Sequence, residues 1–496
     1  MKKLIFIGID GLDNKYVKDH LEELPNFKTI IQNSPSIKSK SVFPPDSDTA
    51  WSTIYTGLNP AKHGVVDFVD PLERQKIIKK ESEYSYVNFL EGKTFWDILS
   101  KNNLKSCVIY PHMCFPPWDI NGLMISPDPK KETFQFTPID YKFNFNIQDL
   151  KVLKRIPRTK FEFKSYLQKK REITINEFKF ATSMYQNEKW DFFFFYTSAL
   201  DSMMHLFWNY CDKDDPTYPG ENQFQNSIID FHKLQDRLLG EFLQNIDGHQ
   251  TVMICSDHGH SRRPTDLINI NEVLRKIGYL HIKEGIFLPF ISSKEKIKRI
   301  IVDIAQKSGL RPIAQTILRV FPKIKKMYTE PALIDFGKSV AHCTDLSGMK
   351  AYSYGGIKVY REKFDKISEY ENCKNKIIKE LREIKIPNTN ENIFKWVKVR
   401  EDVYNGRFIE KYPEILFDLN ENFGSGWSVN NGFWAKSVAH KFFPGSHRGD
   451  TPVFYLINYN HKLKFNDITL EDIFPSIMSY FKISIDEMVI DGRPFI

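Results

Sequence analysis

Residues 41–67, SVFPPDSDTAWSTIYTGLNPAKHGVVD, decide how this chain is read. Pro44 and Pro45 lack amide donors and restrict the residues before them, so Pro44-Pro45-Asp46 does not open a regular helix. A helix is expected over Trp51–Tyr55, capped by Asp48 or Thr49 and followed by Thr56-Gly57. Ser47 then sits at a helix mouth, among unpaired N–H groups and the positive end of the helix dipole, where phosphate oxygens bind readily. Most serines in such a place are only caps. The residues on either side of this stretch make Ser47 a candidate nucleophile.

Upstream, Leu4–Ile9 reads as a buried strand that ends in Asp10-Gly11. In an α/β sheet, ligands gather at the carboxyl ends of such strands. Downstream, Ser106–Tyr110 is strand-like, and Trp190–Thr197 (WDFFFFYT) is a mostly apolar run suited to burial on both faces. It leads into Ser198–His205, where Asp201 and His205 are four apart; on a helical turn they share a face and can grip one ion. Thr251–Ser256 is another buried strand, ending in Asp257-His258-Gly259-His260. For a second time a strand delivers an Asp and a His to its carboxyl end. His447 falls in a Gly-bounded loop, FPGSHRGD at 443–450, and by itself reads as a surface residue. Helices are expected over 13–32 (interrupted at Pro25), 93–102, 226–245 and 267–277, the last stopped by Gly278. Residues 132–189 show no clean strand pattern and read as an insertion containing a helix near 165–186.

Alternating strand and helix predicts an α/β fold, a mainly parallel sheet flanked by helices with helical insertions. Strand carboxyl ends then face one side, so Asp10, Ser47, Asp201, His205, Asp257, His258 and His447 can converge. That makes two candidate three-ligand metal sites around one hydroxyl. Two divalent cations about 4 Å apart would lower the pKa of a bound oxygen and clamp a phosphoryl group. Mixed His/carboxylate ligation suits zinc, with manganese or iron as alternatives.

At 496 residues the chain can form one large α/β domain with insertions. No apolar run approaches the ~20 residues that span a bilayer, and Leu4–Ile9 is too short for a secretory signal core. Six scattered cysteines without a CxxC pair fit reduced thiols in a cytoplasm. The net charge of +8 is unevenly spread. Lys294–Lys326 carries ten Lys or Arg against Glu295 and Asp303, and Lys151–Glu172 carries nine against Glu162 and Glu172. Such runs are either solvated helical faces or surfaces for polyanionic substrates, anionic lipid headgroups or nucleic acid. No specific nucleic-acid reader motif is present.

Taken together these residues resemble the alkaline phosphatase superfamily. The carrying motifs are Asp10-Gly11, Ser47 upstream of Thr56-Gly57, Asn59-Pro60-Ala61-Lys62-His63-Gly64, Asp201-x-x-x-His205, Ser256-Asp257-His258-Gly259 and a late Gly-x-His447. Within the superfamily the chain is most similar to the type I phosphodiesterase/nucleotide pyrophosphatase branch. Closer still is a bacterial and archaeal phosphohydrolase or phosphomutase group with P-P-x-T/S-x-x-A-W and N-P-x-K-H-G. The resemblance implies a catalytic core over 1–290 and 344–496, with 132–189 inserted in it and 291–343 as a basic helical insertion able to act as a lid. It implies one metal on Asp201, His205 and His447, and another on Asp10, Asp257, His258 and the Ser47 oxygen. Ser47 would attack phosphorus to give a phosphoserine that is then hydrolysed. Lys62, His260 and Arg448 are further basic side chains in these motifs that could contact substrate oxygens.

The chain departs from the diesterase pattern in using serine where threonine is usual. It also has Phe68 where an asparagine donates to a phosphoryl oxygen, and no counterpart is evident for the remote phosphate-binding arginine of alkaline phosphatases. Asp48-Thr49-Ala50-Trp51 after Ser47 disfavours a sulfatase. The expected activity is a two-metal, cytoplasmic phosphohydrolase acting on small-molecule phosphate esters, diesters of nucleotide or nucleotide-sugar type foremost. The alternative is a phosphotransferase or phosphomutase, including phosphoglycerol-type transfer to an anionic carrier or lipid docked on the basic insertion. A non-catalytic binding protein is disfavoured because all six ligands and the hydroxyl are present. Trp51, Tyr55, Phe68 and Trp208 could stack a base, but aromatic residues in such places are more often core.

Overall fold

The computed structural model describes residues 3–65, 87–128, 131–153, 157, 160–246, 248–283, 334–345, 351–429, 432–437, 439–485 and 488–496. The basic run 294–326, together with Asp67 and Phe68, lies outside the described residues.

The backbone of the fold is a seven-stranded sheet. Across it the strands run Phe454–Ile457, Thr251–Cys255, Leu4–Ile9, Phe192–Thr197, Ser106–Ile109, Gly122–Pro127 and Phe134–Thr137. The five inner strands are parallel, and both edge strands pair antiparallel. LIFIGI, FFFFYT and TVMIC are buried at every position, as strands covered on both faces must be. Side chains alternate between the faces. Phe194 meets Phe6, Tyr55 and Trp96 on one side. Phe193 and Phe195 meet Tyr185, Phe242 and Phe178 on the other. The first face is covered by helices Ser47–Thr56 and Phe95–Lys101, the second by Lys160–Asn187 and Ser227–Gln244. Gly8 lets the Trp51 indole lie against the sheet, since a Cβ there would meet it at 2.6 Å.

Three expectations are corrected in detail. The helix that begins at Ser47 runs Ser47–Thr56 rather than starting at Trp51, because Asp46 caps it by accepting from the Asp48 N–H; Gly57 ends it at φ +66°. Leu267–Asn269 belongs to the strand Asp266–Asn269, and the helix occupies only Ile270–Lys276. His447 lies on a strand, Gly445–Arg448, paired antiparallel with Gly259–Arg262, and not in a surface loop.

A second body stands over the first. A four-stranded antiparallel sheet, in the order Ala341–Cys343, Tyr354–Val359, Ile415–Leu419 and Phe394–Val399, encloses its own apolar cluster with the helix Ile367–Arg382. Residues 132–189 supply the edge strand Phe134–Thr137 of the large sheet and the 28-residue helix Lys160–Asn187. Among the described residues no helix is long and apolar enough to cross a membrane.

Candidate metal centre

Three adjacent strands aim their carboxyl ends at one place. Leu4–Ile9 ends at Asp10, Thr251–Cys255 runs on to Asp257 and His258, and Phe192–Thr197 leads into the helix Ala199–Cys211, whose first turn holds Asp201. His205 follows one turn later, and the ribbon of Gly259–Arg262 with Gly445–Arg448 brings in His260 and His447. The seven residues expected to converge do so, and His260 joins them.

On one side His258 Nε2 lies 3.1 Å from Asp257 Oδ2, 3.6 Å from Asp10 Oδ1 and 3.1 Å from Ser47 Oγ. Ser47 is the first residue of its helix, and its hydroxyl lies 3.4 Å from Asp10 Oδ1. On the other side Asp201 Oδ1 is 3.3 Å from His205 Nε2, 3.5 Å from His260 Nε2 and 3.8 Å from His447 Nε2. Asp10, Asp257 and His258 form one candidate cation group. Asp201 forms two others, with His205 and His260 and with His258 and His447.

The electrostatics are those of a cation site. Burial, then Asp201, pushes the Asp10 carboxyl up; burial, then Asp10, pushes Asp257 well up. Burial would raise Asp201 too, but His205, His260 and His447 hold it well below the carboxylate range. Burial, then neighbouring imidazoles, drives His260 and His447 well down, into the neutral form that can ligate. Asp201 Oδ1, Asp257 Oδ2, His447 Nδ1 and His260 Nε2 are buried without a hydrogen bond. Divalent cations would satisfy these orphaned atoms and relieve the carboxylate repulsion, so the donor set fits them.

Outer partners orient the ligands. Asp10 Oδ2 accepts from Trp51 Nε1 (3.2 Å) and the Tyr196 hydroxyl (2.5 Å). His205 Nδ1 faces the Gly445 carbonyl, and His258 Nδ1 the Gly259 carbonyl, both at 3.0 Å, which leaves each Nε2 for the centre. Trp51 and Tyr55, read as candidates for base stacking, are fully buried core residues instead; the Tyr55 hydroxyl accepts from the His112 N–H. Trp208 donates to Asp212.

Two motif cations are occupied elsewhere. Lys62 pairs with Asp491, and Arg448 with Asp450 and Glu421. His63 is buried and held neutral by desolvation, its pKa pushed down to about 3; it bonds Thr53 and the Val65 N–H. The N-P-A-K-H-G loop thereby braces the helix Ser47–Thr56.

Tyr196, Tyr352 and Lys170 are not legible as site residues from sequence alone. Tyr196 ends the four-phenylalanine run, where it reads as core. The Tyr352 ring, from the second body, lies 5.5 Å from His447 with the Arg263 guanidinium stacked on it. Lys170 belongs to a basic stretch that was read only as a charged surface. On its helix Tyr166 interacts with Ser202, and Glu177 accepts from Thr197 Oγ1 at 3.1 Å. Lys170 stands between those anchors on the same helical face. Burial lowers its pKa against the pull of Glu177, Asp201 and Asp10, and it makes no ion pair among the described residues.

A family model described as type I phosphodiesterase/nucleotide pyrophosphatase matches residues 4–323. The chain belongs to that family. It is an enzyme of this hydrolase kind, with an Asp/His metal centre for phosphoester hydrolysis. No curated protein sequence matches it. Among solved structures it resembles the phosphonoacetate hydrolase of Sinorhizobium meliloti 1021, solved with phosphonoformate: 14% identity, TM-score 0.55, covering 95% of this chain and 94% of that one. It also resembles murine ectonucleotide pyrophosphatase/phosphodiesterase 5 (13% identity, TM-score 0.49, 100% and 98% covered) and the human protein (14%, 0.49, 99% and 97%). An inactive variant of the murine protein was solved with AMP.

Proposed function

We propose that this protein is a two-metal phosphodiesterase that cleaves diesters of nucleotide or nucleotide-sugar type through a phosphoserine on Ser47. The observation that carries the reading is the Ser47 hydroxyl, at a helix N-terminus and within 3.4 Å of both His258 and Asp10. Asp201, His205 and His447 would hold one cation and Asp10, Asp257 and His258 the other; the donors suit zinc, with manganese as the alternative. Bound there, the ions would supply positive charge to phosphoryl oxygens and lower the pKa of the serine hydroxyl.

In this reading the Ser47 Oγ–P bond forms as the opposite ester P–O bond breaks, and the first alcohol leaves. Water then cleaves the phosphoserine to release a monoester and restore Ser47. The positive end of the Ser47 helix and the Lys170 ammonium, which feels the Asp201 and Asp10 charges, would favour developing phosphoryl charge. The diester preference follows the family description, and the cytoplasmic setting rests on six cysteines that stand as free thiols.

Hydrolysis of bis-p-nitrophenyl phosphate beside p-nitrophenyl phosphate tests the reading, on protein stripped with chelator and reloaded with zinc or manganese. Metal-dependent preference for the diester is expected. Preference for the monoester would replace it with a phosphatase or mutase, and no turnover with two metals bound would favour phosphoryl transfer. Cell fractionation tests the compartment; recovery from the medium would overturn it.

A further inference from the structure

We infer that His260 is a fourth protein ligand of the cation held by Asp201, His205 and His447. One site is then closed by protein, while the Asp10, Asp257 and His258 site stays open toward Ser47. The inference rests on the metal centre proposed above and deepens it.

The ribbon supplies the geometry. His260 and His447 are direct partners across the antiparallel pair, so their side chains leave the same face, and a one-residue slip would turn one of them away. The His260 backbone is pinned by its N–H donating to Asp13 Oδ2 at 3.0 Å, and Gly11 lies against the ring. His205, His260 and His447 each place Nε2 within 3.3 to 3.8 Å of Asp201 Oδ1, and the His205 and His447 Nε2 atoms are 2.9 Å apart. Donors on one tetrahedral ion with bonds of about 2.0 Å stand about 3.3 Å apart; the Asp201, His205 and His260 atoms already gather within 4.8 Å of one another, and His447 joins them through Asp201 and His205.

Burial excludes the other uses of this side chain. The His260 ring is wholly inaccessible, whereas Asp201 and His205 keep 19% and 16% of their side-chain surface. A substrate oxygen cannot reach His260 without displacing the other ligands. Nδ1 faces the Gly11 backbone, and Nε2, the atom turned to Asp201, has no hydrogen-bond partner, so the ring is not a core histidine satisfied at both nitrogens. An ion at Asp201 Oδ1 gives both orphaned groups a partner.

Zinc-loaded wild-type crystals test this without mutation. Anomalous difference density within about 2.1 Å of His260 Nε2 is expected, and a separation beyond about 3 Å overturns the inference. In solution, His260→Ala and the volume-conserving His260→Gln should weaken one of two zinc equivalents at least about tenfold in chelator competition. They should also lose the intense visible bands of four-coordinate cobalt in the cobalt-substituted protein. Unchanged zinc affinity and cobalt spectra in an otherwise folded variant overturn it. Wild-type protein that binds no zinc would overturn the parent reading as well, whereas an active two-zinc wild type beside an unaffected His260 variant removes this inference alone.

Discussion

Ser47→Ala removes one oxygen and leaves all the histidine and aspartate donors in place. Turnover should fall at least about a thousandfold, with metal content and melting curve unchanged; retained activity would remove the covalent step. Asp257→Ala takes away a donor buried between Asp10 and His258, so metal content should fall together with activity. Lys170→Met removes a cation that has no ion pair among the described residues. A lost charge-assisted contact to phosphate predicts a drop of about 10- to 100-fold in kcat/KM, carried mostly by KM, with partial rescue by Lys170→Arg. Steady-state kinetics and inhibition by inorganic phosphate would read this, and an unchanged KM would exclude the contact. Glu177 yields a pH effect of definite sign. Burial lifts its carboxyl from the ordinary 4.5 to about 7, so the folded chain keeps a proton that the unfolded chain releases. Its contribution is complete below about pH 4.5 and is lost as pH rises through 7. Urea unfolding of metal-free protein at pH 5 and pH 7 should show that fall, flattened in Glu177→Gln.

Among the elements, the FFFFYT strand ties the core to the chemistry. Phe194 is fully buried against Phe6, Tyr55 and Trp96, so Phe194→Ala should cost about 3–5 kcal/mol in urea unfolding. A loss under 1 kcal/mol would mean the face is not packed as described. This strand and its parallel neighbours were legible because fully buried strands are continuous apolar runs, and an Asp or Asp-His at the end of such a run stands out. The ribbon was not. Gly445–Arg448 is four residues of GSHR beside a proline, and only its distant partner makes it a strand. The start of the Ser47 helix was hidden for a local reason: Pro44-Pro45 masks the cap that Asp46 supplies. Tyr196 and Lys170 carry no pattern of their own. What they touch is decided by the way the sheet and the inserted helix come together.

For the whole molecule, binding that favours the folded state should register as stability. Zinc held at a hundred times its dissociation constant adds about 2.7 kcal/mol per independent site. Chelation should lower the melting temperature and reloading should restore it; a melting temperature indifferent to zinc would count against a centre built from folded-state ligands. The two bodies were foreseen only as strands and helices. That Tyr354–Val359 and Ile415–Leu419 pair with one another, away from the parallel sheet, is a non-local choice with no sequence period to announce it.

The ribbon also sets an order of events. Its two strands are separated by the whole second sheet, and the facing imidazoles His205 and His447 lie 242 positions apart. Loop-closure entropy must be met before such a contact stabilises anything. During synthesis the early ligands therefore wait, exposed and apart, until Gly445–Arg448 has left the ribosome. Filling of the Asp201, His205 and His447 site would then be a closing step of biogenesis, whereas Asp10, Asp257 and His258 are all present long before it.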